Sequence, residues 1–250
     1  MKVGVFGAGW LGKSLALLLQ DKGFEVKVTA SSEEGREKLK QLGINAFSVR
    51  VDEKGVYGDP GFFNDLKVLI ISLPPVAPEF FRQIRMQMEH FGIKKGILFS
   101  STGIYADCKG KVDETTSLQL HLPKVRRLKE IEDVFLVQSG IKVTVLRLGG
   151  LWGADRHPVY FLVRKDAIED ADEPVNLVQR DTVCKVVARI LSGKICTDIF
   201  NVVDDDHRSK EVFYSAAAEE RKLLLPPFVK SKNPLKRIVS GEKIGRALKK

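Results

Sequence analysis

The chain has 250 residues, 44% hydrophobic and 29% charged, with 41 Lys and Arg against 32 Asp and Glu for a formal net charge of +9. That is too apolar for a disordered chain and too mixed for collagen or a coiled coil, and the length suits one large α/β domain or one with a small lobe attached. Three cysteines with no Cys-x-x-Cys pair, and no histidine pair at ligand spacing, argue against a disulfide framework or a structural zinc site and fit a cytoplasmic protein.

The apolar run behind Met1-Lys2 is interrupted by Gly4, Gly7, Gly9, Gly12 and Lys13, and no small-residue cleavage site follows. It is expected to be a strand and a helix, not a signal peptide. No stretch has the length of a membrane span, so no membrane partner is expected. Val3–Phe6 is a short buried strand. Leu11, Leu15, Leu18 and Leu19 recur at helical spacing until Gly23 stops the helix. Val26 and Val28 mark a second strand. Ser32 with Glu33 and Glu34 forms the cap and acidic first turn of a helix reaching Leu42. Ile44–Val49 is a third strand, and glycine and Asp-Pro then mark a loop through Pro60.

Val68–Ile71 is a continuous apolar run, the sign of a strand covered on both faces. Pro74, Pro75 and Pro78 precede a helix near Glu79–Phe91. Ile97–Phe99 is a strand, Val125–Val137 a helix and Val143–Leu148 a strand. This alternation predicts right-handed βαβ crossovers and a doubly wound parallel sheet, an α/β fold of the Rossmann type. Beyond Gly153 the pattern weakens to helices near Thr182–Leu191 and Lys210–Lys222 and a strand at Ile199–Val203. The segment from Lys230 to Lys250 carries eight basic residues and one acid. A basic tail on a near-neutral body reads as a solvated, partly frayed terminus, and no nucleic-acid partner is expected.

Gly7-Ala-Gly9-Trp-Leu-Gly12 is a G-x-G-x-x-G string between a strand and a helix. Gly7 permits the tight turn, Gly9 lets a pyrophosphate reach the backbone, and Gly12 lets helix and strand pack closely. The same residues, continued through Lys13 and Ser14, also fit G-x-x-x-x-G-K-S, the P-loop of a nucleoside-triphosphate enzyme. The local string fits both. On the dinucleotide alternative, residues 1–153 form the cofactor-binding domain and residues 154–250 a smaller lobe whose chain partly returns to it.

Four downstream segments favour the dinucleotide. Phe99-Ser-Ser-Thr-Gly-Ile-Tyr105-Ala-Asp107, Leu146-Arg-Leu-Gly-Gly-Leu-Trp-Gly153, Asn176-Leu-Val-Gln-Arg-Asp181 and Phe200-Asn-Val-Val-Asp204 stand in that order. Together they resemble the extended short-chain dehydrogenases/reductases, the NAD-dependent epimerase/dehydratase family. The resemblance implies a nicotinamide dinucleotide and a small-molecule substrate, with a sugar nucleotide as the family's example. It implies that Trp10, Leu11, Ser72, Leu73 and Ser100 line the cofactor, that Ser101 bonds the reacting oxygen, and that Thr102, Arg156 and Arg180 meet the substrate. Both arginines suit an anionic group.

The family carries a Tyr and a Lys one turn apart on the helix after the fifth strand. Counted from Glu130, these positions hold Leu122 and Arg126. Leucine transfers no proton, whereas arginine can still bond a cofactor ribose. The chain therefore resembles an atypical member, and a dinucleotide-binding sensor without turnover is the second expectation. A literal Tyr-x-x-x-Lys at Tyr105 and Lys109 lies in a poor helix, and it keeps Tyr105 as an alternative acid/base. His121 and Asp113-Glu114 are weaker candidates. The second strand ends in Thr29-Ala-Ser31-Ser32 without an acid. This predicts NADP(H) over NAD(H), with Ser31, Ser32 and Arg36 at the 2′-phosphate.

Overall fold

The computed structural model describes residues 1–137 and 140–249. The first half alternates strand and helix except across β3 to β5: β1 (Lys2–Phe6), α1 (Trp10–Asp21), β2 (Glu25–Ala30), α2 (Glu33–Gln41), β3 (Asn45–Val51), β4 (Val56–Gly58), β5 (Val68–Ile71), α3 (Pro78–His90) and β6 (Lys95–Ser101). A short 3-10 turn (Thr102–Tyr105), β7 (Lys111–Val112), α4 (Pro123–Leu136), β8 (Lys142–Leu148) and β9 (Gly150–Trp152) follow. The remainder is α5 (Val159–Leu162), β10 (Leu177–Gln179), α6 (Arg180–Leu191), β11 (Ile199–Val202), α7 (Lys210–Glu220), β12 (Ile238–Val239) and α8 (Glu242–Lys249).

Eight strands form one sheet in the order β11-β8-β6-β5-β1-β2-β3-β4. Every neighbouring pair is parallel except β3–β4. The order reverses between β1 and β5, so their carboxyl ends open a crevice. Two cores sandwich the sheet. Leu11, Leu15 and Leu19 of α1 pack with Val183 and Val187 of α6 on one face. Phe81, Ile84 and Met88 of α3 pack with Ile131 and Phe135 of α4 on the other. Leu15 and Ile84 are wholly buried, and truncating either to Ala is expected to cost about 2–5 kcal/mol. No helix among the described residues is long and apolar enough to cross a membrane.

Two segments differ from the expectation. The loop ahead of Pro60 contains β4, antiparallel to β3 with Arg50 opposite Tyr57. Three residues are too few to show an alternation, and Gly58 (φ +112°) ends the strand against the Ser48 carbonyl. The basic tail is also not a frayed end. Its β12 pairs with β7, and the Asn176 side chain bonds both Arg237 O and Val239 N. Lys236 pairs with Asp172, whose carboxyl it holds down to about 2, and Lys243 pairs with Asp198. Ile244 of α8 is buried in the first core. Charge composition alone concealed these partners, which lie far away in sequence.

Candidate functional site

The turn from β1 into α1 is only Gly7-Ala8-Gly9, because the helix begins at Trp10. Gly7 has φ +101°, and a Cβ there would lie 2.5 Å from the Ser72 carbonyl oxygen. A Cβ on Gly12 would lie 2.2 Å from Gly7 O, so only glycine lets the helix seat on the strand. A Cβ on Gly9 would meet nothing within 4 Å. That space is open, and a phosphate can approach the backbone there. Lys13 and Ser14 belong to the helix: Lys13 is exposed, and the Ser14 hydroxyl donates to Trp10 O. The long loop of a triphosphate cradle is missing, and the P-loop alternative falls.

Two cavities flank this turn and share Gly9, Ser72, Leu73 and Pro74 in their walls. One, of about 550 Å³, lies over the ends of β2 and β3 and is lined by Ser31, Ser32, Lys38 and Arg50. The other, of about 380 Å³, is lined by Trp10, Leu11, Ser100, Ser101, Leu128 and Arg156, among others. Together they form a bipartite crevice at the topological switch point, shaped for a ligand with two bulky ends and a phosphate-bearing middle.

Most of the expected residues meet here. Gly7, Gly9, Ser31, Ser32, Ser72, Leu73, Ser100 and Ser101 line one cavity or both. Ser32 also caps α2 by accepting from Gly35 N, and Ser101 accepts from Gly103 N at the start of the 3-10 turn.

Others are elsewhere. Arg36 lies outside both cavities because Glu33 and Glu37 hold its guanidinium. Arg126 is exposed and donates to Leu120 O, away from the crevice. Thr102 is buried in the 3-10 turn and lines neither cavity. Arg180 is engaged by Asp155 and Asp181, which leaves Arg156 as the arginine facing the cavity.

Tyr105 is fully buried. Its hydroxyl donates to Asn201 Oδ1 at 2.9 Å and accepts from Arg147 at 2.8 Å, and burial pushes its pKa up. A phenol whose proton already serves a core partner does not reach a substrate in the crevice. The sequence string Tyr-x-x-x-Lys carries no information about this burial.

The network around Tyr105 takes in Glu132 of α4 and not Glu130. Glu130 is exposed, whereas Glu132 is fully buried, accepts from the Ser100 hydroxyl at 2.6 Å and takes two hydrogen bonds from Arg147. Leu122 only caps the helix, while Leu128 and Ile131 face the cavity. A signal existed: Leu128, Glu132 and Phe135 share one helical stripe, and a charge on an apolar stripe needs a buried partner.

Above the glycine turn, Trp10 clasps the segment after β9. The Arg180 guanidinium lies 4.7 Å and that of Arg156 5.3 Å from the indole, within cation–π range. Trp10 Nε1 donates to Asp155 at 2.9 Å, and this bond, seconded by Arg180, holds the Asp155 carboxyl below its usual range.

No protein-family model matches the chain. Protein YeeZ of Escherichia coli strain K12 is 32% identical to it over 254 residues, covering 97% of this chain and 92% of that protein. Among solved structures, a UDP-glucuronic acid 4-epimerase from Bacillus cereus in complex with NAD matches with TM-score 0.80 and 16% identity, covering 100% of this chain and 91% of that one. A short-chain dehydrogenase/reductase superfamily protein from Agrobacterium tumefaciens with bound NAD matches with TM-score 0.78 and 13% identity, covering 100% and 92%. At such identities the two solved structures establish a shared fold.

Proposed function

Because this chain belongs to the family of Escherichia coli YeeZ and has the fold of the NAD-binding epimerases and short-chain dehydrogenases/reductases, we propose that it binds a nicotinamide dinucleotide along its bipartite crevice. The observation that carries this is the open space at Gly9, between two cavities and in front of the α1 N-terminus. The cofactor is NADP(H) in preference to NAD(H), since no acid closes β2 to repel a 2′-phosphate. The adenosine end occupies the cavity over β2 and β3, and the nicotinamide end the one beside Ser100 and Ser101.

The bound nicotinamide supplies or accepts a hydride. The chain's part is to hold a substrate oxygen at Ser101 and an anionic substrate group at Arg156, in a largely apolar cavity. A sugar nucleotide fits that requirement. The reading is an oxidoreductase or epimerase/dehydratase-like protein of atypical chemistry. Leu122 and Arg126, counted from Glu130, stand where the resemblance expects a tyrosine and a lysine, which favours a second reading, a dinucleotide sensor with little or no turnover.

The test is a titration with NADPH, NADH and Mg-ATP followed by the fluorescence of Trp10, which borders the nicotinamide-side cavity. Saturable quenching by NADPH is expected. Binding of Mg-ATP alone would sink the proposal. Turnover of UDP-sugars or carbonyl compounds by the NADPH-loaded protein then separates enzyme from sensor.

A further inference from the structure

The adenosine-side cavity has an uneven charge. Lys38 and Arg50 are in its wall, and no carboxylate lines it. The position of Arg50 follows from strand register. The last pair between β2 and β3 is Ala30 with Ser48, so β3 runs on past the end of β2. Val49 to Val51 therefore project beyond β2, beside Ser31 and Ser32. The short strand β4 supports the overhang, with Tyr57 opposite Arg50 and its ring 5.4 Å from the guanidinium. Among the described residues Arg50 has no acidic partner. Lys38 is bound only to Glu34 in an exposed pair, which a phosphate can displace.

We infer that Arg50, positioned by Tyr57 and assisted by Lys38, forms a phosphomonoester site that selects a dinucleotide carrying a 2′-phosphate. The inference rests on the dinucleotide reading above and names the residues that give it its cofactor preference. A guanidinium presents paired donors that match phosphate oxygens, and the aromatic ring beneath it limits the freedom lost on binding. Arg36, the arginine nearest to Ser32 in sequence, is excluded because, unlike Lys38, it lines neither cavity, its guanidinium lying between Glu33 and Glu37. Ser31 and Ser32 complete the site as hydroxyl donors.

The experiment is calorimetric titration of the protein with 2′,5′-ADP (adenosine 2′,5′-bisphosphate) and, separately, with 5′-AMP, which differ only in the 2′-monophosphate. The wild type is expected to prefer 2′,5′-ADP by about tenfold or more. Arg50→Ala should lose that preference by weakening 2′,5′-ADP towards the affinity of 5′-AMP, Tyr57→Ala and Lys38→Ala should lose part of it, and Arg36→Ala none. Melting temperatures equal to wild type confirm that each variant folds. Equal affinity of the wild type for both nucleotides overturns the inference and leaves dinucleotide binding intact. So does a preference that survives Arg50→Ala. Failure of a folded wild type to bind either nucleotide overturns the dinucleotide reading, and the inference with it.

Discussion

Glu132 of α4 and Arg147 of β8 form a buried, two-point ion pair, with Nε and one terminal nitrogen of the guanidinium each donating to a carboxylate oxygen. Glu132 also accepts from the Ser100 hydroxyl, and Arg147 also donates to the Tyr105 hydroxyl. Breaking such a pair leaves an uncompensated charge in the core, while replacing both members by apolar residues is often neutral.

Glu132→Gln is therefore expected to destabilise the fold by about 3–5 kcal/mol in urea unfolding, and Glu132→Leu with Arg147→Met to recover most of that loss. A single-mutant loss below about 1 kcal/mol would mean that water relieves the charge.

Gly9→Val should abolish NADPH quenching of Trp10 while leaving the melting temperature near that of wild type. The backbone there is extended (φ −67°, ψ −161°) and the space beyond it is empty of protein, so a side chain costs the fold little. Retained NADPH affinity in Gly9→Val would place the ligand elsewhere.

Trp10 emission should respond to acid. The Asp155 carboxyl is held below its usual value of 3.8, first by the Trp10 Nε1–H bond, then by its own backbone N–H and by Arg180. A depressed carboxylate contributes stability that is present above its unfolded pKa and lost as pH falls through the folded one. The clasp should persist at pH 5 and open below about 3.8, shifting Trp10 emission. Asp155→Asn should remove that transition, and a transition unchanged in the variant would assign it to another carboxylate.

His157 gives a second pH dependence. It is buried, stacked on Phe213 with ring centres 5.9 Å apart, and its Nδ1 accepts from Val159 N at 3.2 Å. Burial, with Arg221 adding to it, lowers its pKa from 6.5. The unfolded chain then binds the proton more readily, so stability falls as pH drops below about 6.5. The melting temperature should decline between pH 7 and pH 5, and His157→Phe should flatten that decline. An equal slope in the variant would clear His157.

Arg156→Ala should weaken binding of an anionic probe, UDP-glucuronic acid, to the NADPH-loaded protein by about tenfold, as expected for one charge-assisted contact. Arg180→Ala should act through the Trp10 clasp and alter Trp10 emission even without the probe. No effect of Arg156→Ala on a probe that binds the wild type would remove Arg156 from the substrate site.

The strands and helices of the sheet were legible in the sequence because each buries a face whose period is local: β1, α1, β5 and α4 reveal themselves within a dozen residues. The glycine turn was legible for the same reason, since its steric demands fall on Gly7 and Gly12 themselves, although the string alone did not separate dinucleotide from P-loop. Four segments further down the chain favoured the dinucleotide, and the helix start at Trp10 agrees with them. Partners distant in the chain were not legible. Whether Tyr105 faces the crevice or Asn201, whether Arg36 or Arg50 overlooks the cavity beside β2 and β3, and whether the basic tail frays or pairs with β7 all depend on contacts across the chain. Their energies come from burial and charge pairing in three dimensions, and a one-dimensional pattern records the residue types that make such contacts but not which of them meet.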